Sequence, residues 1–147
     1  MHQIDLHNNI KYVRTISPVA VGTTGTGQTG KIVDRSGYEG VELIVGYGSI
    51  TATNATLSVT LLEGAATGTM TAVVSSAMIP SAGALAAAGI AAGTPRASGA
   101  NKNVTHRLGY NGILRYVSAN VKSTVTAGTL IHAGFLLGNP HSAPVAS

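Results

Sequence analysis

The segment VELIV, residues 41–45, places three branched apolar side chains on one face of an extended chain and Glu42 on the other. Because successive side chains of a β-strand point to opposite sides of the sheet, this spacing predicts one buried face. The segment LSVTL, residues 57–61, repeats the pattern with Ser58 and Thr60 on the second face. We expect these two strands to pair as a hairpin across the loop at residues 47–55.

Five further segments have the composition or the two-residue period of strands: residues 12–16, 31–34, 70–75, 112–121 and 129–137. The last of them is apolar on both faces, which predicts a central position in its sheet. Seven short strands with glycine-rich connections predict an all-β domain, either a β-sandwich or a barrel. The predicted core takes its residues from four strands: Val41, Leu43, Val45, Leu57, Val59, Leu61, Val117, Phe135 and Leu137.

The ends of the chain differ from its middle. Residues 1–10 are polar and residues 138–147 contain two prolines, and neither has a regular hydrophobic period. We therefore expect extended N-terminal and C-terminal arms on either side of a β domain at residues 11–137. Within that domain, the alanine-rich residues 81–92 predict a short helix or a loop of small residues.

Composition narrows the function classes. The chain has 147 residues, 44% of them hydrophobic and 10% charged, which indicates one folded domain. The absence of cysteine excludes disulfide scaffolds, thiol nucleophiles and cysteine-ligated metals. Lys and Arg number nine against five acids, a net charge of +4, but they are dispersed along the chain, so we expect no nucleic-acid partner.

Two segments bear on membranes and export. Residues 64–95 carry no charge, but their apolar part is mostly alanine and is broken by proline and glycine, so we expect no membrane partner. The first residues are interrupted by histidine, aspartate and lysine and do not resemble an export signal. We expect the mature chain to be the encoded one.

One segment matches a phosphate-binding pattern through its glycines. It is GTGQTGK, residues 25–31, but Ile32 stands where a P-loop requires Ser or Thr, and residues 31–34 read as strand rather than helix. The five histidines and five acids are isolated in sequence, which does not indicate a metal site or an acid–base pair. We expect no enzymatic activity and no cofactor.

Residues 101–117 combine arginine and tyrosine around Asn111-Gly112, a sequence typical of a hairpin turn. Both residue types are enriched where proteins bury surface against each other. The segment is either an ordinary hairpin with solvated arginines or an interface between copies of the chain. The candidate oligomer-interface residues are Arg107, Tyr110, Arg115 and Tyr116.

Across nearly its whole length the chain resembles the small structural proteins of tailed bacteriophages. The likeness is one of pattern, in a glycine- and threonine-rich body with three characteristic segments: DLHNNIKYVRTISP (5–18), GYEGVE (37–42) and RLGYNGILRYV (107–117). Within that group the resemblance implies a head decoration, or cement, protein. Such a protein binds the major capsid protein on the outside of the phage head, commonly as a homotrimer, after synthesis in the cytoplasm of the bacterial host.

Other phage roles stay open, namely a tail-tube, head–tail joining or head-fibre subunit. A carbohydrate-binding β-sandwich is a further alternative, although aromatic residues are only 4% of the chain. For a decoration protein we expect the N-terminal segment to extend along the capsid as an added strand. In that arm Ile4 and Leu6 would face a capsid groove, while Asp5 and His7 point away.

Overall fold

The computed structural model describes residues 5–21, 27–48, 57–79, 103–123 and 130–142. The predictions for Ile4 and for residues 81–92 lie outside these ranges. The elements in chain order are α1 (Leu6–Asn9), β1 (Ile10–Ala20), β2 (Gln28–Thr29), β3 (Val33–Asp34), β4 (Tyr38–Tyr47), β5 (Leu57–Gly64), β6 (Thr71–Ala72), a 3₁₀ turn (Ser75–Ala77), β7 (Met78–Ile79), β8 (Val104–Tyr110), β9 (Tyr116–Ser123) and β10 (Leu130–Pro140).

These strands form two antiparallel sheets packed face to face, which confirms the all-β class and the sandwich. The first sheet has the order β1-β10-β4-β8-β7, and the second has the order β2-β9-β5-β6 with β3 also paired to β9. Strand β10 lies between β1 and β4, as the apolar character of both its faces predicted.

The core lies between the two sheets. It consists of the alternate residues along each strand whose side chains point towards the opposite sheet. Eight of the nine predicted core residues are buried, and Val59 is partly buried against them. Phe135 and Leu43 pair across β10 and β4 at the centre of the first sheet, and both are fully buried. The two-residue period therefore identified the buried faces, because it depends only on the local geometry of a strand.

The predicted pairing of residues 41–45 with 57–61 is wrong. Strand β4 pairs with β10 and β8 in the first sheet, whereas β5 pairs with β9 and β6 in the second. Both strands need to bury one apolar face, and stacking across the core buries those faces as well as a hairpin would. The loop between them is long enough to permit either arrangement.

The predicted hairpin at Asn111-Gly112 is also wrong. Strand β8 precedes this pair in the first sheet and β9 follows it in the second, so residues 111–115 carry the chain from one sheet to the other. Strand β8, which contains the predicted interface residues Arg107 and Tyr110, pairs with β4 over seven residues.

The chain covers both lateral edges of the sandwich. Residues 28–34 pair with β9 at two points and also reach β1, where the Lys31 amide donates to the Thr15 carbonyl at 2.7 Å. The Thr15 hydroxyl returns a hydrogen bond to the Lys31 carbonyl at 2.6 Å. On the opposite edge, the chain runs from β6 of the second sheet through residues 73–77 directly into β7 of the first.

The terminal segments differ from the expected extended arms. Residues 6–9 form one helical turn, because the Asp5 side chain accepts a hydrogen bond from the Asn8 amide and so caps the turn. At the other end β10 continues to Pro140, three residues beyond the predicted limit of the β domain, because Gly138 and Pro140 pair with β4.

Candidate protein-interaction surface

A single arginine holds the loop at residues 111–115, which we call the clamped loop. The Arg35 guanidinium donates to the Leu114 carbonyl at 2.8 Å and to the Gly112 carbonyl at 3.2 Å. It also donates to the Tyr38 carbonyl at 3.3 Å and lies 5.5 Å from the centre of the Tyr110 ring. The Gly112 and Leu114 carbonyls are thus held by the Arg35 guanidinium, because its planar arrangement of N–H donors can bond several acceptors at once.

Tyr110 supports the same loop from inside. Its side chain is only 5% exposed; its hydroxyl donates to Glu63 Oε2 at 2.5 Å and accepts from the Leu114 amide at 3.1 Å. Burial raises the pKa of Tyr110 to about 12, and the hydrogen bond to Glu63 adds to that shift. The candidate interface residue Tyr110 is therefore a structural residue in this fold, because its ring and hydroxyl link β8 to β5 and to the loop.

The clamped loop presents Ile113 to solvent. This side chain is 91% exposed, although the backbone on either side of it is hydrogen-bonded. The Asn111 amide adds a further bond, to the Ala77 carbonyl at 2.8 Å. A large apolar side chain held out from a fixed backbone loses little conformational entropy on binding, which is how protein contacts are preorganised.

Arg115 and Tyr116, the next two predicted interface residues, lie together at the start of β9. The Arg115 guanidinium is 5.2 Å from the centre of the Tyr116 ring and pairs with Asp34 at 2.6 Å. The hydrogen bond from Arg115 lowers the pKa of Asp34 below its usual value. About half of the Arg115 side chain is exposed, so this pair remains accessible to a partner.

Arg107 does not join that cluster. It lies on the outer face of the first sheet, largely exposed, and its nearest acid is Glu42 at 3.4 Å. The structure thus brings together Arg115 and Tyr116, buries Tyr110 beneath the clamped loop, and leaves Arg107 on another surface.

The N-terminal residues that were expected to bind a capsid lie in and before α1. Asp5 caps this turn, and the hydrogen bond from the Asn8 side chain lowers the pKa of Asp5. Leu6 is 61% exposed and His7 is also exposed. A strand-like alternation of side chains is therefore not present at residues 6–9, because the capped turn replaces it.

The outer face of the first sheet was not identified from the sequence. Three of its large apolar residues are exposed, namely Tyr12, Ile79 and Leu130. At one end of this face is a groove of about 420 Å³, which we call the glycine groove; its floor includes Gly40, Gly109 and Gly138, and Ile79 and Leu136 contribute apolar walls. A sequence signal existed, because each of these glycines stands next to an apolar or aromatic residue of its strand.

The described part of the chain includes no group of three or more histidines, cysteines or acids placed to hold a metal ion. No helix in that part is both long and apolar enough to span a bilayer. Comparison with protein-family models and with curated proteins finds no match to this chain.

Proposed function

We propose that the protein is a bacteriophage head decoration protein that binds the outer surface of the capsid. The observation that carries this proposal is the outer face of the first sheet, as far as the described residues define it. It combines exposed apolar side chains with a groove whose floor is rich in glycine. Exposed apolar surface of this kind is typical of protein–protein contact. The resemblance of the sequence to phage structural proteins supports a capsid as the partner.

The N-terminal end of that face is the part proposed to meet the capsid. The turn α1 lies against β1 and β10, which places the exposed Leu6 at the same end of the sheet as Tyr12. Tyr12 is 50% exposed and lies across Gly134 of the neighbouring strand. A half-exposed tyrosine beside an exposed leucine offers apolar area together with a hydroxyl, the combination favoured in binding hot spots.

The edges of the sandwich favour decoration over a tail tube. A tube subunit would use long open edges to continue a ring of strands from one copy to the next. Here β1, one edge of the first sheet, is interrupted by register shifts after Arg14 and Ile16. Short or bulged edges oppose strand addition, so faces rather than edges are proposed to make the contacts.

The proposal is tested by adding the purified protein to heads of the encoding phage that lack it and measuring occupancy after sedimentation. We expect saturable binding by the wild type, loss of binding when residues 1–9 are deleted, and weakened binding by Tyr12→Asp. The matched control is Val74→Asp, at an exposed apolar residue between β6 and β7. Failure of the wild type to bind heads would refute decoration, and full binding by both variants would refute the proposed surface.

A further inference from the structure

Among the described residues nothing requires Gly138 to be glycine. A Cβ added there would meet nothing within 4 Å, and its backbone is not in the left-handed region. Glycine inside a strand is unfavourable because it has no side chain to pack and loses more conformational entropy on folding than any other residue. Gly134, four residues earlier on the same face, is different, because a Cβ there would meet the Tyr12 ring. The bare backbone at Gly138 is therefore best explained by close approach of something outside the described residues.

The groove around Gly138 has a definite chemistry. Gly138 pairs with Gly40 across β10 and β4, so two neighbouring strands expose backbone side by side. Leu136 and Ile79 supply apolar walls, and two carboxylates, Glu39 and Glu42, line the groove. Its volume of about 420 Å³ falls in the range of binding sites that hold a buried side chain or ligand.

These two carboxylates differ from the other described acids of the chain in the partners that they contact. Asp5 caps α1, Asp34 holds Arg115, and Glu63 accepts the Tyr110 hydroxyl. Glu39 and Glu42 have only surface partners, His141 at 2.6 Å and Arg107 at 3.4 Å. Exposed ion pairs of this kind contribute little to the free energy of unfolding, so these carboxylates can exchange their partners when another cation binds beside them.

The same chain carries a complementary surface. The clamped loop presents Ile113 and ends at Arg115, whose guanidinium is about half exposed. An apolar side chain beside a cation matches an apolar groove lined by carboxylates. Within one copy, the glycine groove and the clamped loop lie at the same end of the sandwich, where β8 ends. Asn111 lines the groove, and Ile113 follows it by two residues in the loop.

We propose that the clamped loop of one copy inserts Ile113 into the glycine groove of a second copy. Arg115 of the first copy then faces Glu39 and Glu42 of the second. Loop and groove are different surfaces at one end of the same copy. The contact therefore forms either head to tail, which closes into a ring when the rotation between copies allows, or twice in a twofold dimer in which each copy inserts its loop into the other. This inference rests on the expected self-association. The groove adjoins the surface proposed to bind the capsid, since its wall residue Leu136 pairs with Tyr12, so the test uses the protein without capsids.

Two variants separate the halves of the contact without disturbing the fold. Ile113→Asp removes the inserted side chain at a position that is almost fully exposed. Gly138→Tyr places a large side chain in the groove, at a position where an added Cβ meets nothing within 4 Å among the described residues. The control is again Val74→Asp, an exposed branched residue between β6 and β7. Thermal unfolding checks that all three proteins remain folded.

The test is sedimentation-velocity ultracentrifugation of the protein alone, without capsids. We expect a concentration-dependent oligomer for the wild type and for Val74→Asp, and monomers for each of the two contact variants. An equimolar mixture of Ile113→Asp and Gly138→Tyr should restore a dimer and nothing larger, because it contains one intact loop and one intact groove.

Three results would overturn the inference. They are a wild type that stays monomeric at high micromolar concentration, oligomers that persist in both contact variants, and a mixture that stays monomeric. If Ile113→Asp assembles normally but no longer binds heads, the loop belongs to a capsid contact and self-association through it is wrong. Failure of the wild type to bind heads, with the assembly of the wild type and the variants as expected here, would instead concern only the proposed function.

Discussion

The Tyr110 hydroxyl offers a direct measure of what holds the clamped loop. Tyr110→Phe removes one donor to Glu63 and one acceptor for the Leu114 amide while keeping the ring. Each of these hydrogen bonds contributes about 1 kcal/mol net, so the expected loss in the free energy of unfolding is about 2 kcal/mol. For a domain of this size that loss lowers Tm by about 5 °C.

The stability difference between wild type and Tyr110→Phe should depend on pH in a defined direction. Because the pKa of Tyr110 is raised from 10.0 to about 12 in the folded protein, folding favours its neutral form. That contribution is complete below about pH 10 and is lost as the pH rises towards 12. Two pKa units correspond to about 2.7 kcal/mol, so the gap between the two proteins should close over this range.

Urea unfolding followed by far-ultraviolet circular dichroism at pH 8, 10 and 11.5 measures the gap. Other groups that titrate at high pH affect both proteins equally and cancel in the difference. Tyr12→Phe is the matched control, because its ring is half exposed, and we expect a change of less than about 0.5 kcal/mol. A Phe variant as stable as the wild type at pH 8, or a gap that stays constant to pH 11.5, would refute this account of the loop.

Three further substitutions test other parts of the structure by thermal unfolding. Gly112→Ala should cost about 2 kcal/mol, because its Cβ would lie 2.4 Å from the buried Tyr110 ring; an unchanged Tm would contradict that packing. Gly134→Ala should cost less than about 1 kcal/mol, since the Tyr12 ring that it meets is half exposed and able to move; a larger loss would show that ring to be fixed. Asp34→Asn should cost about 0.5 kcal/mol at neutral pH, as expected for an exposed ion pair. Because the pKa of Asp34 is lowered by folding, the small advantage of the wild type should disappear as the pH falls below 4, and an advantage that grows there would be inconsistent with the pair.

The parts of the fold that could be predicted are those that depend on neighbouring residues. Alternation identified the buried faces of β4, β5 and β10, because a strand reverses its side chains at every residue whatever it pairs with. The partners of β4 and β5 could not be predicted in this way. Two strands that each have one apolar face can bury those faces equally well as neighbours in one sheet or in two sheets that pack against each other. The connection at residues 47–55 is long enough for both arrangements.

The internal role of Tyr110 could not be predicted for a related reason. Arginine and tyrosine are enriched both in interfaces and in internal networks, where a ring packs and a hydroxyl bonds. The residue that decides between these roles is Arg35, which is 75 positions before Tyr110 in the sequence and lies over its ring. Ile113 then takes the exposed position because Tyr110 and Arg35 hold the backbone on both sides of it.

The glycines show most clearly where sequence reasoning stops. Gly112, Gly134 and Gly138 are alike in the sequence, each beside an apolar or aromatic residue. In the fold a Cβ at Gly112 would strike a buried ring and one at Gly134 a movable ring, whereas one at Gly138 would meet nothing. The first glycine is thus required by packing and the second is tolerant of change. The third leaves backbone that no described residue covers, which is why Gly138→Tyr is the variant chosen to test the proposed interface.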